Sequence, residues 1–419
     1  MENPSLIRGI KMKIIMLLVI VIGMVLGCNL NATDKNTKVV DQNILSPNIT
    51  DPLPETFTLW TGSNIPDDFN QIPFVPGMQH QTIQHAVESC QFLHGAAIIN
   101  YKGVFYANWA NSPVNENSHE ERLQGRRSTD GCRTWSDLEV IAPDLEGPAC
   151  RSHGVLFVHK GQLWTICARF GEGLPAKRFP CLQAEAFILN EKTGRWDSQG
   201  VVMQNCWPCN EPKRMDNGNW ITSGQDKDGF PVVAISHGDD ITQWDSILIP
   251  FHPHMEPCYA ETTVNAQGNR ILAVIRGGGG IAWISISDDF GRTWSKAGPS
   301  NMPMPRAKAY LGKLSTGQMY LLSNLQRKTD SLDNRDTLII SVSRPGESTL
   351  SRMWRIRHGK SGPPRFNPIQ KGKQWSYPYG YEYEGKLYVV YSIGKEDCGL
   401  SILPLESIAI KVEPTDAKK

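Results

Sequence analysis

Six polar or titratable residues recur at equivalent places along the chain. His94, His153, Glu211, Glu261, Tyr310 and Tyr377 each stand seven to nine residues ahead of a glycine, at 103, 161, 218, 268, 317 and 385. Carboxylates, imidazoles and phenols are the groups of proton transfer and polar recognition, and they make poor core filler. Arg276 ends the apolar run that follows one of these glycines, and Arg169 holds much the same place in another. A guanidinium there can clamp an anion with two parallel N–H donors or fix a loop through an ion pair. His252 and His254 have the spacing of a metal pair, but no carboxylate cluster joins them, so a loop role is expected and no metal. Cys206-Trp207-Pro208-Cys209 is a CxxC without a second copy or a βαβ setting, which reads as a local disulfide or two buried thiols. Trp207 and Trp375 lie in segments leading into these strand starts, where an indole either stacks on a sugar ring or packs. Gly-rich phosphate loops and dinucleotide fingerprints are lacking, and no cofactor is expected.

The elements that must position these residues are short strands. Each of the six residues opens a strand, a turn follows at the glycine, and a β-rich run comes next: VFYANW after Gly103, QLWTICA after Gly161, NRILAVI after Gly268, KLYVVYS after Gly385. The first five copies then reach Trp135, Trp196, Trp244, Trp294 and Trp354. Ser287 to Trp294 fits S-x-D-x-G-x-T-W, and Ser128 to Trp135 fits it apart from Cys132 in the glycine slot. Ser and Asp can bond local backbone in a hairpin turn, Gly takes a conformation closed to other residues, and Trp buries an apolar face. A period of roughly 50–60 residues built from strands alone is the signature of propeller blades. The expected fold is all-β: a six-bladed propeller over residues 54–419, or seven blades if residues 54–90 form more than a closure. Phe57–Trp60 is expected to supply the outer strand of the last blade. Inner strands line a propeller's channel, so the six strand-start residues should meet there.

Net charge is +1 over 419 residues, so no electrostatic footprint for nucleic acid is present. Lys11 and Lys13 precede an apolar run from Ile14 to Gly27 that is too short to span a membrane and right for a signal segment. It ends Val25-Leu26-Gly27-Cys28, which resembles a bacterial lipobox with Cys28 as the lipidated residue. Residues 1–28 are therefore expected to be a lipoprotein signal peptide and residues 29–53 a flexible tether. The mature chain would be exported and held at the bacterial cell envelope by lipid alone.

The boxes and their surroundings resemble the sialidase superfamily, whose propellers carry such Asp-boxes, and the likeness covers most of the chain beyond the tether. In sialidases a later blade carries a Glu at a strand start, a turn, and an Arg before a box. Glu261, Gly268, Arg276 and the 287–294 box stand in that order. Ser323, Asn324 and Arg335 match the next blade's "SN…R", and Tyr377 before Gly385 matches the Tyr of the last. The resemblance implies Tyr377 as nucleophile, Glu261 as the base that takes its proton, and Arg276 with Arg335 as a carboxylate clamp. A tyrosine also avoids sending a carboxylate nucleophile toward an anionic sugar. Two positions depart from the pattern. His94 stands where sialidases place a third clamp Arg. The loop before the first box, Asn111 to Gln124, has no acid/base Asp and offers Glu116, His119, Glu120 and Glu121 instead.

Three functions follow. An exo-acting hydrolase would cleave a terminal acidic sugar, sialic-acid-like or uronate, from a glycan, with Tyr377 and Glu261 at its centre, Glu116 or His119 for proton transfer, and Arg276, Arg335, Arg169, His153, Glu211 and Tyr310 around the substrate. A propeller lyase of the rhamnose–glucuronate or ulvan type would use His94, His119, His153, Arg169 and Tyr310 for β-elimination. A glycan-binding propeller would do neither. The expected partner is an acidic glycan substrate, and the protein is expected to be a monomer.

Overall fold

The computed structural model describes residues 52–410 except 146, 148, 172–178, 258, 367–371 and 373. The signal segment, Cys28 and all but the last two residues of the tether lie outside the described residues. Six antiparallel sheets follow one another along the chain. The first blade is Phe92–Tyr101, Val104–Ser112, Arg122–Ser128 and Glu139–Ala142, and the second is Cys150–His159, Gln162–Phe170, Gln183–Asn190 and Arg195–Gln204. In the third the inner strand is split into Trp207–Pro208 and Lys213–Arg214, followed by Trp220–Gln225, Pro231–His237 and Asp240–Leu248. Pro208 and Pro212 flank the break, and neither has an N–H to give a ladder. The fourth blade is Thr262–Gln267, Arg270–Ile275, Ile281–Ser287 and Gly298–Pro303, and the fifth is Tyr310–Lys313, Met319–Asn324, Thr337–Ser343 and Leu350–His358. The sixth is Trp375–Tyr383, Lys386–Ile393 and Asp397–Pro404.

The ring closes by a different segment from the one expected. Gln79–Gln84 pairs with Asp397–Pro404 as the sixth blade's outer strand. Phe57 and Trp60 instead make single parallel bridges to Ser300 and Leu350, and Phe74 bridges Arg355. The chain from 57 to 74 is thus a belt across the outer strands of the fourth and fifth blades. It adds no seventh blade.

Inner and second strands are buried almost throughout, and fully buried side chains such as Trp109, Leu123, Ile166 and Tyr391 fill the sheets' faces. Each such large apolar side chain contributes roughly 1.5–3 kcal/mol of transfer free energy. The two boxes have matching bond networks. Ser287 Oγ donates to Asp289 (2.8 Å) and accepts from Gly291 N (2.8 Å), and Thr293 donates to Asp289 from N (2.8 Å) and Oγ1 (2.7 Å). Ser128, Asp130, Cys132 N and Thr134 repeat every one of these bonds. Cys132 has φ +71°, so it takes the glycine's conformation with a side chain attached. The degraded third copy keeps the anchor: Trp244 Nε1 donates to Ile241 O (2.6 Å) as Trp294 Nε1 does to Gly291 O (2.9 Å).

Candidate active site

Three inner strands break register where they carry a site residue. The breaks fall between His94 and Ala97, between Arg151 and Gly154, and between Ser376 and Tyr379. An extra residue in one strand bends it and re-aims the side chain, here toward the propeller axis. Two backbone details show how tightly this is enforced. Gly95 has φ +62°, and a Cβ there would lie 2.2 Å from the His153 ring, so only glycine lets the first two blades bring their histidines together. Tyr377 itself has φ +58°, a conformation that is strained for an aromatic residue and that collects at functional sites.

Tyr377 is the centre of the cluster that results. Its hydroxyl donates to Glu261, and Arg276 Nη1 donates both to that hydroxyl oxygen (3.1 Å) and to Glu261 (2.6 Å). The Arg335 guanidinium carbon lies 5.6 Å from the Tyr377 ring centroid, the His94 ring 3.8 Å and the His153 ring 5.8 Å. Residues of the first, second, fourth and fifth blades therefore surround one phenol carried by the sixth, and all five neighbours are buried. Asn324 fixes the frame: its Nδ2 donates to the carbonyls of Trp375 (2.8 Å), Thr337 (3.2 Å) and Arg335 (3.3 Å), while Trp375 N donates to Arg335 O (3.1 Å).

The electrostatics follow from burial and from the arginines. Burial, then the Glu261 charge, pushes the Tyr377 phenol well above its ordinary range, against the pull of Arg276 and Arg335. The proton therefore stays on Tyr377 at rest and has Glu261 as its acceptor. Burial, then the charge of Lys395, holds His94 well below 6.5, and burial with Lys308 brings His153 down to about 3. Both imidazoles are neutral at pH 7. His94 Nδ1 lies 2.8 Å from Ser392 Oγ, and its buried Nε2 has no protein partner among the described residues.

The remaining expected residues lie apart from this phenol. Glu211 and Tyr310 meet each other: the Tyr310 hydroxyl donates to both Glu211 oxygens (2.9 and 3.0 Å), with Lys213 Nζ 3.4 Å from the same carboxylate. Tyr379 packs on Tyr310 (4.7 Å), so this is a second, connected cluster. Arg169 is ion-paired to Glu185 (2.7 Å), which also takes Arg151 (2.6 Å), and serves as a loop tie. Glu116 pairs with Lys395 (2.5 Å), while His119 is exposed. In the same loop the Glu121 carboxyl is fully buried, and desolvation raises it to about 8. His254 N donates to His252 Nδ1 (3.2 Å), and among the described residues no group of three His, Cys, Asp or Glu is placed to hold a metal ion. Cys206 and Cys209 are buried free thiols, the second of the two readings left open for the CxxC. Trp207 is buried against His153 (4.9 Å) and Phe170 (5.1 Å), which makes it packing.

One residue at the centre was not singled out from the sequence. Lys308 is buried, its Nζ 6.0 Å from the Tyr377 centroid and 3.4 Å from Pro378 O. It stands two residues before Tyr310, ahead of the strand that opens there, so the fifth blade meets the cluster earlier than the turn glycine suggests.

The BNR repeat-like domain family matches residues 191–389. No curated protein matches the chain in sequence. Among solved structures, a Dyadobacter fermentans protein of unknown function has TM-score 0.58 at 15% identity, over 78% of this chain and 99% of that one. The Trypanosoma rangeli sialidase has TM-score 0.60 at 12% identity, over 80% of this chain and 60% of its own. The intramolecular trans-sialidase of Ruminococcus gnavus has TM-score 0.59 at 11% identity, over 79% and 98%. At such identities the likeness is one of fold. By fold, the chain is a six-bladed β-propeller similar to these solved structures, with a BNR repeat-like match over residues 191–389.

Proposed function

We propose that this propeller is an exported, exo-acting glycoside hydrolase that removes a terminal acidic sugar from a glycan, with Tyr377 as nucleophile and Glu261 as its base. The hydrogen-bonded Tyr377–Glu261–Arg276 triad at the propeller axis carries this reading. A phenol that bonds a carboxylate can lose its proton as it attacks, and the two guanidinium groups favour the phenolate that forms. Arg335 and Arg276 would hold the sugar's carboxylate. The chain would act at the bacterial cell envelope, anchored through an acylated Cys28.

The neutral histidines favour a second reading, β-elimination on a uronate. His94 packs tilted against Tyr377, its Nε2 without a protein partner among the described residues, and an imidazole or phenol there could take the proton alpha to the carboxylate. The products separate the two. Incubated with acidic host and plant glycans, a hydrolase releases a saturated reducing sugar, and a lyase leaves an unsaturated uronate that absorbs ultraviolet light. Saturated product lost in Tyr377→Phe is expected. An absorbing product would overturn the hydrolase reading, and no product from any acidic glycan would overturn both.

A further inference from the structure

The charges around Tyr377 do not balance, and the imbalance is localised. Glu261, the carboxylate bonded to the phenol, already has Arg276 as its cation (2.6 Å), and farther off Glu211 has Lys213 (3.4 Å) and Glu116 has Lys395 (2.5 Å). Two cations are left over. Arg335 donates from Nη2 to the Arg306 carbonyl (2.8 Å), while its buried Nε has no partner. Lys308 has only the long contact to Pro378 O (3.4 Å) for three donors. Neither forms an ion pair among the described residues, and both are buried. Buried charges are ordinarily paired, so two unpaired cations facing one phenol point to negative charge that arrives with a ligand. The neighbouring histidines, held neutral, supply none.

We propose that the site is built for a sugar carrying two anionic groups: a carboxylate held by Arg335 with Arg276, and a second group held by Lys308. The second group is a sulfate ester, a phosphate or another carboxylate, all of which offer several acceptor oxygens to an ammonium. This rests on the acidic-sugar reading above and narrows it, because a clamp for a single carboxylate would leave Lys308 without a counter-charge in the bound state.

Isothermal titration of the purified full chain tests it. N-acetylneuraminic acid and glucuronic acid serve as monoanions. Glucuronic acid 3-sulfate, glucuronic acid 1-phosphate and glucaric acid serve as dianions, one for each candidate second group. At least one dianion is expected to bind about 10-fold or more tightly than either monoanion, as a charge-assisted hydrogen bond allows. Lys308→Met should abolish that preference, and Lys308→Arg should keep it. Monoanions that bind wild type as well as every dianion would overturn the inference and leave the acidic-sugar reading standing. A dianion preference that survives Lys308→Met would also overturn it. Acidic sugars that fail to bind at all would overturn both. The wild-type comparison needs no variant, so a poorly folding substitution cannot rescue the idea.

Discussion

If Lys308 waits for a ligand's charge, the empty protein should be more stable without it. Lys308→Met keeps most of the buried aliphatic stem and removes the ammonium, whose only acceptor is a carbonyl at 3.4 Å. Desolvating one ammonium costs several kcal/mol, and one long hydrogen bond with the more distant charges of Glu261 and Glu211 offsets only part of that. Met should therefore stabilise the ligand-free fold by about 1–3 kcal/mol, the usual sign when a functional polar group is replaced by an apolar one. For a domain of roughly 350 residues, an unfolding entropy near 2.1 cal/mol/K per residue makes 1 kcal/mol worth about 1.4 °C, so Tm should rise by about 1–4 °C.

The pH dependence carries a sign of its own. Burial lowers the Lys308 pKa, against the opposing influence of Cys209, Glu261 and Glu211. His94 and His153, also facing it, stay neutral above pH 7. Between the lowered folded value and the ordinary lysine value near 10.4, the unfolded chain holds the extra proton, so wild-type stability rises with pH across that window. Met binds no proton, and its advantage should shrink from pH 7 toward pH 10 in calorimetric melts of both proteins. A variant melting more than about 2 °C below wild type at pH 7, or an advantage equal at both pH values, would show that the ammonium is compensated in a way the geometry does not contain.

Tyr377→Phe removes the oxygen proposed to attack but leaves Glu261 and Arg276 paired, so turnover should fall at least about 10³-fold while calorimetric affinity for an acidic sugar stays within about 3-fold. Arg276→Met strands Glu261, but Arg335 and Lys308 remain near it. The loss in urea unfolding should thus be about 1–3 kcal/mol, below the 3–5 typical of a broken buried pair, and adding Glu261→Gln should recover part of it. Gly95→Ala meets both a positive φ and the His153 ring, and should cost about 1–3 kcal/mol in thermal melts. Cys28→Ser should move the protein from the membrane fraction to the soluble one, because only acyl chains would hold it.

What could be read from the sequence was whatever repeats. The turn glycines and boxes recur because each blade solves the same local problem, and even the Cys132 box keeps the Ser–Asp–Thr bonds of its better counterpart, though not the indole bond that Trp294 makes to Gly291 O. The closing strand was missed for the opposite reason. Gln79–Gln84, QHQTIQ, is an outer strand exposed over its first half and carries no apolar alternation to announce it. Phe57–Trp60 had the apolar character of a strand and proved to be part of a belt. The cluster was legible where it depends on position within a blade: Glu261, Arg276, Arg335 and Tyr377 come together. Pairings across blades were not. Nothing in the sequence ties Glu211 to Tyr310, since they come from the third and fifth blades and meet only across the channel.

Lys308 shows how that uncertainty acts on function. A step of two residues along the fifth blade's inner segment replaces a phenol with an ammonium beside Tyr377. The sign of the site's net charge then depends on register, which the turn glycine alone does not settle. A sequence that places six polar strand starts around one axis can therefore name the family of chemistry. The two buried cations without an ion pair among the described residues, Arg335 and Lys308, are what the proposal of a dianionic sugar rests on.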